Sequence, residues 1–397
     1  MSKKCFYLIF ILLISCTTPD DSSIQYTTTT IESQETTTEP QETTTEPQET
    51  TTESQETSTT TTVAQSTTTT TVAPSTNYLE NRDIKLFRAS TISDEHINIL
   101  MDYVRFTEKS FFDDPRVKVD NLYPILIAQT DIDNYQSAID LEGEFCQYLK
   151  DTYPDSHKEY CYYRTPQSDG SIGLFASDGN VYGSSISGNK AKSCCYLFIS
   201  GSFDLSWDSH SQAITTIHEM FHIFQMSNYI DLPYHQDDRE KIPGKIVGDG
   251  NKHKSFWMEG NTEFLSHLYY ARNVKDFDRF LNEMESKLYT DYGSKGMGTI
   301  IERYLSDGIK LYNYTFEGGW DNRKMGYQVG AWFTAYLVNI HGEDSILDFW
   351  FNTQSGIFFP ENFLQTFGKD YKTYVDEFEN FVRNNDVKTV MSILPSS

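Results

Sequence analysis

Within TTIHEMFHIFQ, residues 215 to 225, two histidines stand four apart and a glutamate directly follows the first. A helix of 3.6 residues per turn puts positions i and i+4 on one face, so His218 and His222 can turn both imidazoles toward a single ion. Glu219 is rotated by about 100° from the first histidine, which removes it from the ligand set but leaves it able to stand beside an attacking water. This is the residue chemistry of a hydrolytic zinc site. Such a site takes three protein ligands and keeps its fourth position open, so the pair needs one further ligand from elsewhere in the chain. The competing reading, two structural histidines on a core helix, is weakened by rarity: HExxH arises by chance in roughly one or two chains in a hundred of this length.

The elements around the motif fit that use. Ile214, Ile217, Phe221 and Phe224 form an apolar stripe beside the histidine face, which predicts a buried helix with its histidines at the edge of a cleft. The stretch CCYLFIS, residues 194 to 200, reads as a strand leading into that helix. Farther upstream, Asp94 reads as the cap of a helix with Ile97, Leu100, Met101 and Val104 on one face, followed by a strand from Tyr123 to Ala128. A long stretch after it carries no clear assignment, and Gly-rich turns at about 170 to 190 flank LFAS. Downstream the signals are helical at 255 to 272, 275 to 288, 298 to 309 and 326 to 340, with shorter pieces to Val382. The expected fold class is α+β: a mixed α/β half with a small sheet over residues 78–230, then a mostly helical half over residues 231–397.

Further motifs sort the zinc-peptidase groups. The metzincin pattern requires a glycine and a third histidine where this chain has Gln225 and Asn228, so that group is excluded. FWMEGNTEFLSHLYY, residues 256 to 270, resembles the second-helix segment of gluzincins, in which a tryptophan precedes a glutamate-glycine pair. The resemblance implies a zincin-like catalytic domain with one zinc ion (Zn2+) and Glu259 as third ligand beside His218 and His222. Glu263, one turn further on the same face, either ligates instead or supports a histidine from behind. GYQVGAWFTAYLVNIHGED, residues 326 to 344, resembles the gluzincin helix whose tyrosine stabilises the oxyanion of the tetrahedral intermediate, which implies that role for Tyr327. The group's activity is hydrolysis of peptide bonds with the HExxH glutamate, here Glu219, as general base. Aminopeptidases of the group grip a free amine with a GxMEN motif that this chain lacks, so the resemblance implies an endopeptidase acting on peptides or proteins. It also implies that Tyr196, Leu197, Phe198, Ile199 and Ser200 form the edge to which an extended substrate pairs. It does not reach the first 195 residues.

Two rivals belong to other classes. One is a surface binding protein that keeps the zincin fold without turnover. The other is a structural zinc site, but that usually has four closed ligands and no CxxC pair is present. His210, His253, His267 and His341 read as surface or packing histidines.

The first fifth of the chain differs in kind. Lys3 and Lys4 precede an apolar run from Cys5 to Ile14, the layout of an export signal over residues 1–15, and about ten apolar residues are too few to span a bilayer. The run ends in Leu13-Ile14-Ser15-Cys16, which resembles the lipobox of bacterial lipoproteins and implies a lipidated Cys16 anchoring the protein to a membrane. The rest of residues 16–77 is dominated by Thr, Ser, Glu, Gln and Pro with QETTTEP repeating, which reads as a disordered stalk of roughly 45 Å mean extension. The expected location is therefore the cell surface or periplasm. The net charge of −25, partly the stalk's, comes with no basic stripe, which excludes a nucleic-acid partner. The expected assembly is a monomer. Cys146, Cys161, Cys194 and Cys195 allow three disulfide pairings in an exported chain.

Overall fold

The computed structural model describes residues 82–118, 122–157, 161, 176–177, 180–181, 185–189, 196–203, 208–230, 232, 255–291, 298–315 and 319–396. Cys16, the repeat segment, Cys194, Cys195 and His253 lie outside the described residues. In chain order the elements are β1 (Ile84–Arg88), α1 (Asp94–Phe112), β2 (Ile125–Asp131), α2 (Tyr135–Thr152), α3 (Pro154–His157), β3 (Ala176–Ser177), β4 (Asn180–Val181), β5 (Ser185–Asn189) and β6 (Tyr196–Phe203). They continue with α4 (Ser209–Ser227), α5 (Met258–Val274), α6 (Phe277–Tyr289), α7 (Ile300–Asp307), α8 (Gly319–His341), α9 (Asp344–Asn352), α10 (Phe359–Phe367), α11 (Tyr371–Asn384) and α12 (Val387–Met391). The fold is α+β as expected. Three parallel strands with helices make the first half, and the second half is mostly helical.

The main sheet has the order β1-β2-β6-β5, parallel except for β5, which runs antiparallel to β6. Alternation along the strands feeds two cores. Ile125, Ile127, Leu197 and Ile199 pack with α1 and α4, while Leu126, Ala128, Tyr196 and Phe198 pack with Phe145 and Leu149 of α2. On the α2 side Cys146 is bonded to Cys161, with their Cα atoms 6.0 Å apart, which selects one of the pairings the sequence left open.

The sheet order corrects the expected substrate edge. Tyr196 to Ser200 lie in β6, whose backbone is paired with β2 on one side and β5 on the other, so no free ladder groups remain there. Among the described residues the outer strand on that side is β5, and it runs against α4. Two smaller differences concern α1 and α2. The cap of α1 is Ser93, whose side chain accepts from the His96 amide at 3.2 Å, and Asp94 sits in the first turn. Helix α2, in the stretch left without a clear assignment above, buries Ala138, Leu141, Phe145 and Leu149 along one stripe.

In the helical half the close crossing of α5 and α8 matters most for the site. A Cβ on Gly260 would lie 2.5 Å from the Gly330 carbonyl carbon, and one on Gly330 would lie 2.6 Å from the Phe256 carbonyl oxygen. Only glycine lets the two backbones meet. Below the crossing, Asn261 Nδ2 donates to Thr334 Oγ1 at 2.9 Å and Trp350 Nε1 donates to Asn261 Oδ1 at 3.1 Å. No helix among the described residues is long and apolar enough to cross a membrane.

Candidate metal centre

Helix α4 starts at Asp208, whose side chain accepts from the Ser211 amide at 2.9 Å, and every residue from His210 to Ser227 is buried. It threads the core between the sheet and α5. The expected apolar stripe is in place, with Ile217, Phe221 and Phe224 fully enclosed, but His218 and His222 are buried more deeply than the rim of a cleft, each 3% exposed.

Met258 and Glu259 open α5, and a helix N-terminus favours a carboxylate. Glu259 Oε2 lies 3.3 Å from His218 Nε2 and 3.1 Å from His222 Nε2, so three donor atoms on two helices converge on one buried point. Ligands about 2.0 to 2.1 Å from a tetrahedral zinc are about 3.3 Å from one another, and this donor set fits. The donor types, two imidazoles and a carboxylate, and their burial suit the same ion. Of the two candidate glutamates, then, Glu259 completes the group. Glu263 stands behind His218, its Oε2 3.3 Å from Nδ1 without a well-aligned hydrogen bond.

Each histidine is backed on its far nitrogen. His222 Nδ1 meets Gln225 Oε1 at 2.7 Å, and Gln225 Nε2 donates to the Met258 carbonyl at 3.1 Å. With Nδ1 engaged, Nε2 is the nitrogen left to face the shared point. Glu263 in turn is gripped by Lys287 Nζ and lies 3.4 Å from His267 Nε2.

The electrostatics follow. Burial by itself would lower the His218 pKa, but Glu259, Glu263 and Glu219 together raise it to about 10. Burial would raise Glu259, yet His222 and His218 hold its carboxyl well below the usual carboxylate range. The surrounding carboxylates thus favour positive charge at this point. Glu219 is pushed up by burial, only partly opposed by His218 and His222. Tyr327 enters from α8, its ring 6.2 Å from the His218 ring and within 4° of parallel, and its hydroxyl lies in the field of Glu259. Burial and then the charges of Glu259 and Glu219 hold its phenol well above 10, so it stays a donor at neutral pH.

The structure thus brings His218, Glu219, His222, Glu259, Glu263 and Tyr327 together and leaves Tyr196 to Ser200 inside the sheet. Sequence reasoning missed Gln225, Lys287 and Glu283, and it read His210 and His267 as surface or packing residues. Both histidines are buried and paired with Glu283. The available signal was spacing, since Glu259, Glu263 and His267 recur at four-residue steps on α5. No protein family, curated protein or solved structure matches this chain.

Proposed function

We propose that this chain is a zinc-dependent endopeptidase of gluzincin type. The observation that carries the reading is the buried convergence of His218, His222 and Glu259 with the carboxylate of Glu219 next to it in sequence and in field. A zinc ion held by those three residues would supply a Lewis acid and a lowered pKa for water.

The chain's own groups do the rest. Glu219, with a carboxyl raised by burial, takes the proton of the attacking water on a carboxylate oxygen and delivers it to the leaving nitrogen. The Tyr327 hydroxyl, kept protonated, donates to the substrate oxygen as negative charge develops on it. The outer edge of β5 offers backbone groups to an extended peptide lying along α4. Lipid anchorage at Cys16, with the repeat segment as a stalk, puts this activity on a membrane surface facing out of the cytoplasm.

The test is cleavage of a mixed-sequence quenched peptide library by the purified chain and by Glu219→Gln at matched zinc content. Wild type is expected to cut internal bonds, and the variant to lose about 10² to 10⁴ in rate while keeping its zinc. If both bind zinc and neither cuts, a binding protein on the same fold replaces the peptidase reading.

A further inference from the structure

The polar contacts behind His218 continue past Glu263. Glu263 Oε1 takes Lys287 Nζ and faces His267 Nε2 at 3.4 Å, His267 Nδ1 bonds Glu283 Oε2, and Glu283 Oε1 bonds His210 Nε2. Arg279 Nε closes the outer end, 3.4 Å from Glu283 Oε1. The side chains run from 4% exposed at His218 through 13% at Glu263 and 7% at His267 to 26% at Glu283.

Three helices are in register to build this row. Glu259, Glu263 and His267 step by four along α5, Glu283 and Lys287 are four apart on α6, and His210 and His218 are eight apart on α4. As a brace alone it is an inefficient choice, because buried ionic groups must be desolvated and apolar side chains of similar size hold helices at least as well. What apolar residues could not supply is a carboxylate fixed in place at His218 Nδ1. The contact between Glu263 and His218 is itself poorly aligned, so the position of Glu263 is set by its other partners.

We propose that His267 and Glu283 are positioning residues of the metal centre, acting through Glu263 to hold the His218 imidazole and thereby setting the affinity of the site for zinc. The proposal rests on the zinc reading above.

The experiment uses the full chain and the near-isosteric variants His267→Gln, Glu283→Gln and Glu263→Gln, plus His267→Gln combined with Glu263→Gln. Three quantities are measured: the zinc dissociation constant by chelator competition, the absorption spectrum of the cobalt(II) form, and the unfolding midpoint of the metal-free protein. Glu263→Gln is expected to weaken zinc binding about 10- to 100-fold, and His267→Gln and Glu283→Gln about 3- to 10-fold with a shifted cobalt spectrum. In the Glu263→Gln background, His267→Gln should add nothing, because its route to the metal is already cut.

A merely structural role predicts lowered midpoints with zinc affinity within about twofold of wild type and an unchanged cobalt spectrum. That result, or full additivity in the double variant, overturns the proposal. Should His267→Gln fail to fold, Glu283→Gln at the more exposed end decides the question. A wild-type chain that binds no zinc removes the zinc reading and this proposal together; wild-type binding with unaffected variants removes the proposal alone.

Discussion

His218 and His222 leave the same face of α4 one turn apart, yet their surroundings are opposite in kind. His222 is backed by neutral groups, Gln225 Oε1 at 2.7 Å and Thr262 Oγ1 at 3.4 Å, themselves tied to the Met258 carbonyl. His218 is backed by the Glu263 carboxylate, which needs Lys287 beside it. A neutral acceptor fixes ring orientation with little demand on the rest of the protein. A buried carboxylate makes the imidazole a stronger base but must itself be compensated, and that demand draws α6 into the site.

Removal of each backing group is the bluntest test of this asymmetry. Glu263→Ala leaves the Lys287 ammonium, 8% exposed, without its partner, and should cost about 3 to 5 kcal/mol in denaturant unfolding of the metal-free protein. Gln225→Ala removes one neutral acceptor and should cost about 1 to 3 kcal/mol. Lys287→Met placed on top of Glu263→Ala should recover a large part of the loss, because it removes the orphaned charge. Equal costs for the two single variants would break the comparison.

The charged side also carries Tyr327, stacked over the His218 ring, and the α5–α8 glycine contact sets its place. Gly330→Ala puts a methyl 2.6 Å from the Phe256 carbonyl oxygen, an overlap with backbone that no side-chain motion relieves. We expect a loss of about 3 kcal/mol in stability together with reduced turnover and weakened zinc binding, because the overlap falls on Phe256 and Gly260, on either side of Glu259 in the chain. A variant that keeps wild-type zinc affinity and turnover would mean that the α5–α8 contact does not set the place of Glu259 or Tyr327.

The same asymmetry shows which parts of the site were legible in the sequence. The convergence of His218, His222 and Glu259 and the place of Tyr327 beside them were, since HExxH, Glu-Gly and Tyr-x-x-Gly each combine a reactive side chain with the backbone feature that places it. Gly260 and Gly330 turn out to touch, so the two glycine-bearing motifs record a single helix crossing. Glu263 was legible as support for a histidine, but the groups that hold it were not, because His267, Glu283 and Lys287 at helical spacing look the same on a solvated face as between helices. The edge strand failed for the opposite reason. YLFIS is apolar on successive residues, which suits a strand buried on both faces, whereas the true outer strand, SISGN, has neither alternation nor β-branched density.

A pH series separates the two sides more gently. His218, raised to about 10 from 6.5, stabilises the metal-free protein fully below pH 6.5, and that contribution fades as pH climbs toward 10. Glu219, raised from 4.5, loses its contribution as pH rises above about 4.5, while the depressed Glu259 and Glu263 contribute above about 4.5 and lose their contribution as pH falls. The metal-free chain should therefore be less stable at pH 9 than at pH 6, with a slope of at most about 1.4 kcal/mol per pH unit for each proton involved. Thermal melts should show Glu263→Gln flattening the alkaline limb more than Gln225→Leu does, because Glu263 is among the groups raising His218. Matching limbs in the two variants would place the alkaline loss outside the His218 side.

The finest test makes the neutral side resemble the charged one. Gln225→Glu presents a carboxylate to His222 Nδ1, so the imidazole becomes a stronger base and zinc should bind a few-fold tighter. The gain is small because the substitution also removes the amide donor to the Met258 carbonyl, leaving a carboxylate oxygen facing a carbonyl oxygen with no counterpart of Lys287 beside it. Metal-free stability should accordingly fall by about 1 to 3 kcal/mol even as chelator competition reports a lower zinc dissociation constant. The two quantities moving in opposite directions is the signature of a backing group that acts on the metal at the expense of the fold. If zinc affinity falls along with stability, carboxylate backing is not what strengthens a histidine here, and Glu263 serves His218 by packing alone.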